Sequence, residues 1–259
     1  ARWLDLAEPN PNGLLFVGAA PWVRTVARHV QELGYSVALL DNNPVHVRSA
    51  REEGLTAHQG NALSENIVDE ITLSGIGHLL ITIPNDEVAS LTALHFSEVF
   101  ESTDIYQLAA QPDSRHGGEG VMPGHLRGRP LFGEDTSYQL LKACLNRGDT
   151  IEVLTLSDET SDETQEYYSH EDLSNEYEDE SVIPLFILRE NDTLEIVSET
   201  SQFRLRPQDR LLALVGAGAD TRDHKTPEVE QTEGDGILEV EESSPEPSDD
   251  ETADATETG

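Results

Sequence analysis

The residues best placed to do chemistry follow a short apolar run, Leu14–Val17, and read Gly18-Ala19-Ala20-Pro21-Trp22-Val23. Where a strand turns into a helix, G-x-G-x-x-G lets a pyrophosphate approach the backbone, and the first amides of the helix hold it. Here only the first glycine stands, as Gly18. Ala20 replaces the second, and its methyl takes space a pyrophosphate would use. Val23 replaces the third and is too large for the closest helix–strand packing. Pro21 suits a first helical turn but removes one N–H donor from the cradle. Asp41 comes 23 residues after Gly18, close to the ~20 at which an acid accepts ribose hydroxyls and disfavours a 2′-phosphate. The competing role for Asp41 is to cap the turn Asp41-Asn42-Asn43-Pro44. Loop and acid together predict a weakened nucleotide site, one that suits AMP or ATP better than the full dinucleotide NAD(H).

Other reactive residues point elsewhere. Tyr138 and Lys142 have the Tyr-x-x-x-Lys spacing in which a lysine lowers a tyrosine pKa for proton transfer. With no serine a dozen residues upstream, a helix with Tyr138, Leu141 and Leu145 packed inward accounts for them better than a dehydrogenase. Cys144 is the one cysteine, which excludes an internal disulfide and a cysteine zinc site. It falls in that same apolar pattern, as a buried residue rather than a nucleophile. His116 and His125 flank a glycine-rich stretch without the spacing of a metal site. The acids Glu176, Glu178, Asp179 and Glu180 read as a solvated face rather than a cation site.

The elements that must position the loop alternate. Leu14–Val17, Ser36–Leu40, Leu55–Gln59, His78–Ile83 and Ile105–Ala109 are strand-like. Pro21–Leu33, Pro44–Glu53, Glu65–Leu73 and Asp86–Phe100 carry helical spacing. Five strands at this rhythm imply right-handed βαβ units and a Rossmann-like, doubly wound parallel α/β sheet. The pocket then falls at the carboxyl ends of the strands, lined by Gly18, Ala19, Ala20, Asp41, Asn42, Asn61 and Ile83. Past residue 112 the pattern becomes a helix over Thr136–Asn146 and strands at Ile151–Leu156, Val182–Leu188, Thr193–Val197 and Arg210–Val215. A short helix is expected from Ser169 or His170 to Glu178, and a hairpin turn at Arg189–Asp192. The predicted organisation is a linker (1–12), a nucleotide-binding regulatory domain (13–112), a connector (113–135), a small α+β domain (136–216) and a disordered acidic tail (217–259).

The formal net charge is −35, from 51 acids against 16 bases. Fifteen of those acids lie in 217–259 and eleven in Ser157–Ser181, but the remaining residues are still acidic. Such a surface repels phosphate backbones and anionic lipid, so no nucleic-acid partner is expected. The bases are 14 Arg and only Lys142 and Lys225. A lysine-poor acidic surface resembles proteins of extreme halophiles, which work in molar salt where the Debye length is about 3 Å. No apolar run approaches the ~20 residues of a membrane span, and no leader peptide is visible. The start at Ala1 fits a processed chain or a piece of a longer one.

From Leu14 to Ala110 the chain resembles the domains that regulate conductance of potassium, with TrkA-N/TrkA-C-like organisation. The shared residues are the Gly18 turn, Asp41-x-x-Pro44, EGLTAHQGNA (53–62) and LLITIPNDEVASLTAL (79–94). That family carries Asp at the position of Asn61 and keeps all three glycines. HLRGRPLFGEDTSYQLL (125–141), VIPLFILRENDTLEIV (182–197) and LRPQDRLLALV (205–215) are similar to the cytosolic region of haloarchaeal NhaP-type sodium/proton antiporters. The resemblance implies a cytoplasmic regulatory module at the inner face of the cell membrane. It would serve a transporter domain in cis or a separate transporter subunit, form homodimers, and act by nucleotide or ion binding rather than catalysis. A ligand-free dimerisation module and an NAD-dependent oxidoreductase are the alternatives.

Overall fold

A computed structural model describes residues 11–110, 127–155, 167–176, 182–199 and 202–216. Strands β1 (Gly13–Val17), β2 (Val37–Asp41), β3 (Thr56–Gln59), β4 (Ile76–Ile81), β5 (Ile105–Gln107) and β6 (Arg129–Pro130) build a parallel sheet in the order β3-β2-β1-β4-β5-β6. Helices α1 (Pro21–Glu32), α2 (Pro44–Glu52), α3 (Ile67–Glu70) and α4 (Asp86–Phe96) connect the first five strands. Between β1 and β4 the winding reverses, which opens the crevice where doubly wound sheets take ligands.

Residue order explains why β1 lies at the centre. Leu14 and Phe16 join one buried cluster with Val26 and Val30 of α1, while Leu15 and Val17 join another with Ile67, Ala89 and Phe96. A strand covered on both faces must be apolar at every position, and β1 is buried throughout. Helix starts are set by short polar side chains: Asn43 Oδ1 accepts from Val45 N–H, Asn85 Oδ1 from Val88 N–H, and Ser137 Oγ from Leu140 N–H.

The rest of the described chain forms α5 (Tyr138–Arg147), β7 (Thr150–Thr155), α6 (His170–Glu176), β8 (Val182–Leu188), β9 (Leu194–Ile196) and β10 (Arg210–Val215). Its four strands make an antiparallel sheet in the order β7-β10-β8-β9. The β8–β9 hairpin turns where expected: Asp192 takes φ +59° and Arg189 N–H donates to Thr193 O. The two sheets share a core. Leu14, Phe16 and Trp22 belong to the same buried cluster as Leu185, Phe186 and Leu212.

The structure corrects three of the expectations. The parallel sheet has six strands rather than five, because Arg129 and Pro130 pair with Tyr106 and Gln107 inside the stretch assigned to a connector. Two residues give no period, and proline is tolerated there because β6 is an edge strand. The same stretch continues into the core: Leu131 and Phe132 are buried, Phe132 N–H donates to Val197 O, and its ring lies 5.2 Å from that of Phe186. The third helix shrinks to four residues, because Asn61 and Ser64 close a turn before it. The fourth stops at Phe96, not Phe100, before a 3-10 turn at Ser102–Asp104. The linker, most of the Gly-rich connector with His116 and His125, and the acidic tail lie outside the described residues.

Two half-buried histidines make stability depend on pH. Burial pushes the His78 imidazole of β4 below its ordinary 6.5, and this outweighs the upward pull of Asp104, whose Oδ1 lies 3.4 Å away. His58 of β3 is lowered too, by burial and then by the Arg51 charge. The unfolded chain therefore binds these protons more readily. Their stability term is complete above the unfolded value and declines as pH falls through it. Urea midpoints are expected to drop between about pH 7.5 and 5.5, a window bracketing that value, and less steeply for His78→Gln. Parallel curves for the two chains would exclude His78 as a source of the slope.

Candidate functional site

At the carboxyl ends of the parallel strands the chain closes on itself. Gly18 leaves β1 at φ +115°, a conformation side-chain-bearing residues rarely adopt. A methyl group on it would lie 2.9 Å from Thr82 Oγ1 and 3.1 Å from Thr82 O. Thr82, just past β4, donates both its N–H and its hydroxyl to Val17 O. The first glycine is thus held by strand packing across the crevice, which needs no ligand.

Asp41 organises the other side. Its Oδ2 accepts from Ala19 N–H at 2.7 Å and lies 2.9 Å from His46 Nδ1, while Oδ1 accepts from Asn43 N–H at 2.8 Å. The carboxylate therefore caps its own turn and also takes the first amide of the phosphate loop. Only about one of its roughly four acceptor positions remains for a ribose hydroxyl. Arg24 braces the loop from below, with Nη1 donating to Ala19 O at 3.0 Å and Nε to Glu53 Oε1 at 2.8 Å.

The loop is enclosed. Gly18, Ala19 and Ala20 are all buried, and Ala20 precedes α1 without a side-chain cap, so the Trp22 and Val23 amides of the first turn have no carbonyl before them. Among the sequence-predicted site residues, Gly18, Ala19 and Asp41 come together directly. Ala20 is the residue directly before α1, Asn42 is exposed in the β2–α2 turn, and Ile83 packs against the α4-side core past the end of β4. Asn61 stands after β3, where its Oδ1 accepts from Leu63 N–H and forms a local turn. Thr82, His46 and Arg24 were not singled out from sequence. His46 offered a faint signal, at one turn into the helix that Asp41 precedes. A cavity of about 450 Å³ is lined by Pro44, Val47, Arg48 and Gln59, and by none of Gly18, Ala19, Ala20 and Asp41.

The remaining candidate groups are packed. Tyr138 meets Trp22 edge-on at 5.6 Å, while Lys142 is exposed. Cys144 is buried and unbridged, and burial followed by Asp149 pushes its thiol up, away from the nucleophilic thiolate. Among the described residues, no three His, Cys, Asp or Glu side chains gather as a metal site, and no helix is long and apolar enough to cross a membrane.

Strand order, glycine turn and terminal acid define a doubly wound module of the nucleotide-binding topology. Residues 15–117 match the family model of the TrkA-N domain. Solved structures are similar to the chain at low identity. The TrkA-N domain of the inner membrane protein ybaL from Escherichia coli is 22% identical, with 45% of this chain covering 90% of that one at a TM-score of 0.36. The NAD(P)-binding domain of an exopolyphosphatase-related protein from Archaeoglobus fulgidus is 17% identical, with 40% covering 77% at 0.36. The GsuK channel bound to NAD is 12% identical, with 80% of this chain covering 38% of that one at 0.38. This chain therefore spans well under half the length of that channel chain. No curated protein matches the chain.

Proposed function

We propose that this chain is the cytoplasmic regulatory module of a monovalent cation transporter, a sodium/proton antiporter or a potassium uptake system. It is not an enzyme. It works as a homodimer beside, or joined to, a transmembrane part, and takes no nucleic acid. Residues 13–112 form the ligand-sensing region and 136–216 the region that transmits its state. The observation that carries this reading is the switch-point crevice with Gly18 and Asp41, inside a segment matching TrkA-N.

The mechanism follows from what the loop touches. α1 begins at Pro21, directly after the loop, and its second residue, Trp22, packs on Tyr138 of α5. A nucleotide entering the crevice competes with Ala19 N–H for Asp41, and any shift of the loop is passed through α1 to the second sheet. Coupling of this kind needs a ligand that favours one state, and typical coupling energies of about 1–3 kcal/mol change activity five- to 150-fold. Gly18, Ala19, Ala20, Asp41, Asn42, Asn61 and Ile83 line the pocket. Asp41 favours a free 2′-hydroxyl, so AMP, ATP or NAD(H) is preferred to a 2′-phosphorylated dinucleotide.

One observation favours a second reading, a dimerisation module without ligand: the loop is buried and Asp41 already serves three internal donors. Calorimetry in molar KCl with AMP, ATP, NAD and NADH separates the two. Heat from at least one, reduced in Asp41→Ala, is the expected result. Silence from all four removes ligand sensing and leaves the second reading. Molar salt matters because the charge of −35 repels phosphates in dilute buffer.

A further inference from the structure

His46 shares an oxygen with the phosphate loop. Asp41 Oδ2 accepts from Ala19 N–H at 2.7 Å and lies 2.9 Å from His46 Nδ1. A carboxylate only accepts, so the ring proton sits on Nδ1, and Nε2 of the neutral imidazole carries a lone pair. That side chain is 34% exposed, and among the described residues no second group bonds it. A free acceptor therefore stands beside the loop, on a ring that Asp41 orients.

A ribose presents two adjacent hydroxyls, and a carboxylate with both oxygens free accepts the two together. Asp41 has no such freedom. Ala19 N–H, Asn43 N–H and His46 leave it about one of its roughly four acceptor positions. Its neighbours do not supply the second. Asn43 Oδ1 already accepts from Val45 N–H, and Asn61 Oδ1 from Leu63 N–H. We propose that His46 Nε2 accepts one hydroxyl of a ribose 2′,3′-diol while Asp41 accepts the other, so that the crevice selects ribonucleotides with both hydroxyls free. The proposal rests on the nucleotide reading above and narrows its ligand class. Deoxynucleotides, 2′-phosphorylated dinucleotides and 3′,5′-cyclic nucleotides each lack one of the two hydroxyls. Each would leave an acceptor of the crevice without its donor, and a site built to bond a hydroxyl rejects the analogue without it.

Calorimetry on the full chain in molar KCl tests it with AMP, ATP and NAD, each beside the forms lacking the adenosine 2′- or 3′-hydroxyl. The parent is expected to bind a ribonucleotide and to lose about tenfold in affinity for each hydroxyl removed. His46→Asn puts an amide where Nδ1 stood: its NH2 still reaches Asp41, but nothing replaces Nε2. One of the two losses should vanish in this variant while the other remains. His46→Gln carries its amide further out, to the place of Nε2, and should restore part of the loss that vanished. Both losses persisting in His46→Asn would take the hydroxyl away from His46. An equal drop for all forms would make the ring a support of the loop and nothing more. A parent that binds ribose and deoxyribose forms alike removes the diol reading and leaves nucleotide sensing standing. Silence from every nucleotide removes both.

Discussion

Gly18→Ala is expected to lose about 3 kcal/mol of unfolding free energy, against about 1 kcal/mol for Gly34→Ala. Both glycines have positive φ, +115° and +95°. They differ in surroundings: nothing lies within 4 Å of the methyl position at Gly34, whereas at Gly18 Thr82 Oγ1 lies at 2.9 Å and Thr82 O at 3.1 Å. The backbone penalty is common to the two, and the contact penalty is not. Thr82 has no easy retreat, because its hydroxyl and its N–H both bond Val17 O. The alanine methyl therefore pushes β4 from β1, where Leu79, Leu80, Ile81, Leu15 and Phe16 are fully buried. Urea unfolding of both variants in the same salt measures the difference. Equal losses would mean that the crevice is slack and that Thr82 does not hold Gly18.

This contact shows where sequence reasoning ends. The alternation of β1, α1, β2 and α2 was legible because apolar residues fall at the period of each element and because Pro21, Pro44, Gly34 and Gly54 punctuate them. The switch point followed from that order. β6 was not legible, since two residues carry no period and a glycine-rich stretch precedes them. Thr82 was invisible for another reason: its hydrogen bond spans 65 residues, and nothing local in Ile81-Thr82-Ile83-Pro84 indicates a partner. Asp41 lies between these cases. Its position after β2 predicted both a ribose acceptor and a turn cap, and the sequence held nothing to rank them. The structure gives the cap and adds an amide 22 residues earlier.

Asp41→Asn decides how much of that carboxylate serves the fold. The aspartate accepts from Ala19 N–H, Asn43 N–H and His46 with both oxygens, whereas asparagine offers one oxygen and one NH2. Either orientation sets an NH2 group against a backbone N–H: against Ala19 if the oxygen stays with Asn43, against Asn43 if it turns to Ala19. A buried donor left without an acceptor costs about 1–3 kcal/mol, and the lost charge weakens the bonds that survive, so a fall of about 2–3 kcal/mol in unfolding free energy is expected. Hydrogen exchange at the Ala19 amide should accelerate with it in either orientation, because that amide loses either its acceptor or the charge that held it, whether or not a ligand exists. The two readouts together separate the roles. If Asp41 clamps the loop, stability falls, Ala19 exchanges faster, and nucleotide affinity changes along with them. An unchanged urea midpoint and unchanged Ala19 exchange, with nucleotide heat abolished, would instead make Asp41 a ligand group whose internal bonds contribute little. The clamp is the expected result. A carboxylate 12% exposed with three donors around it has most of its bonding capacity committed before any ribose arrives.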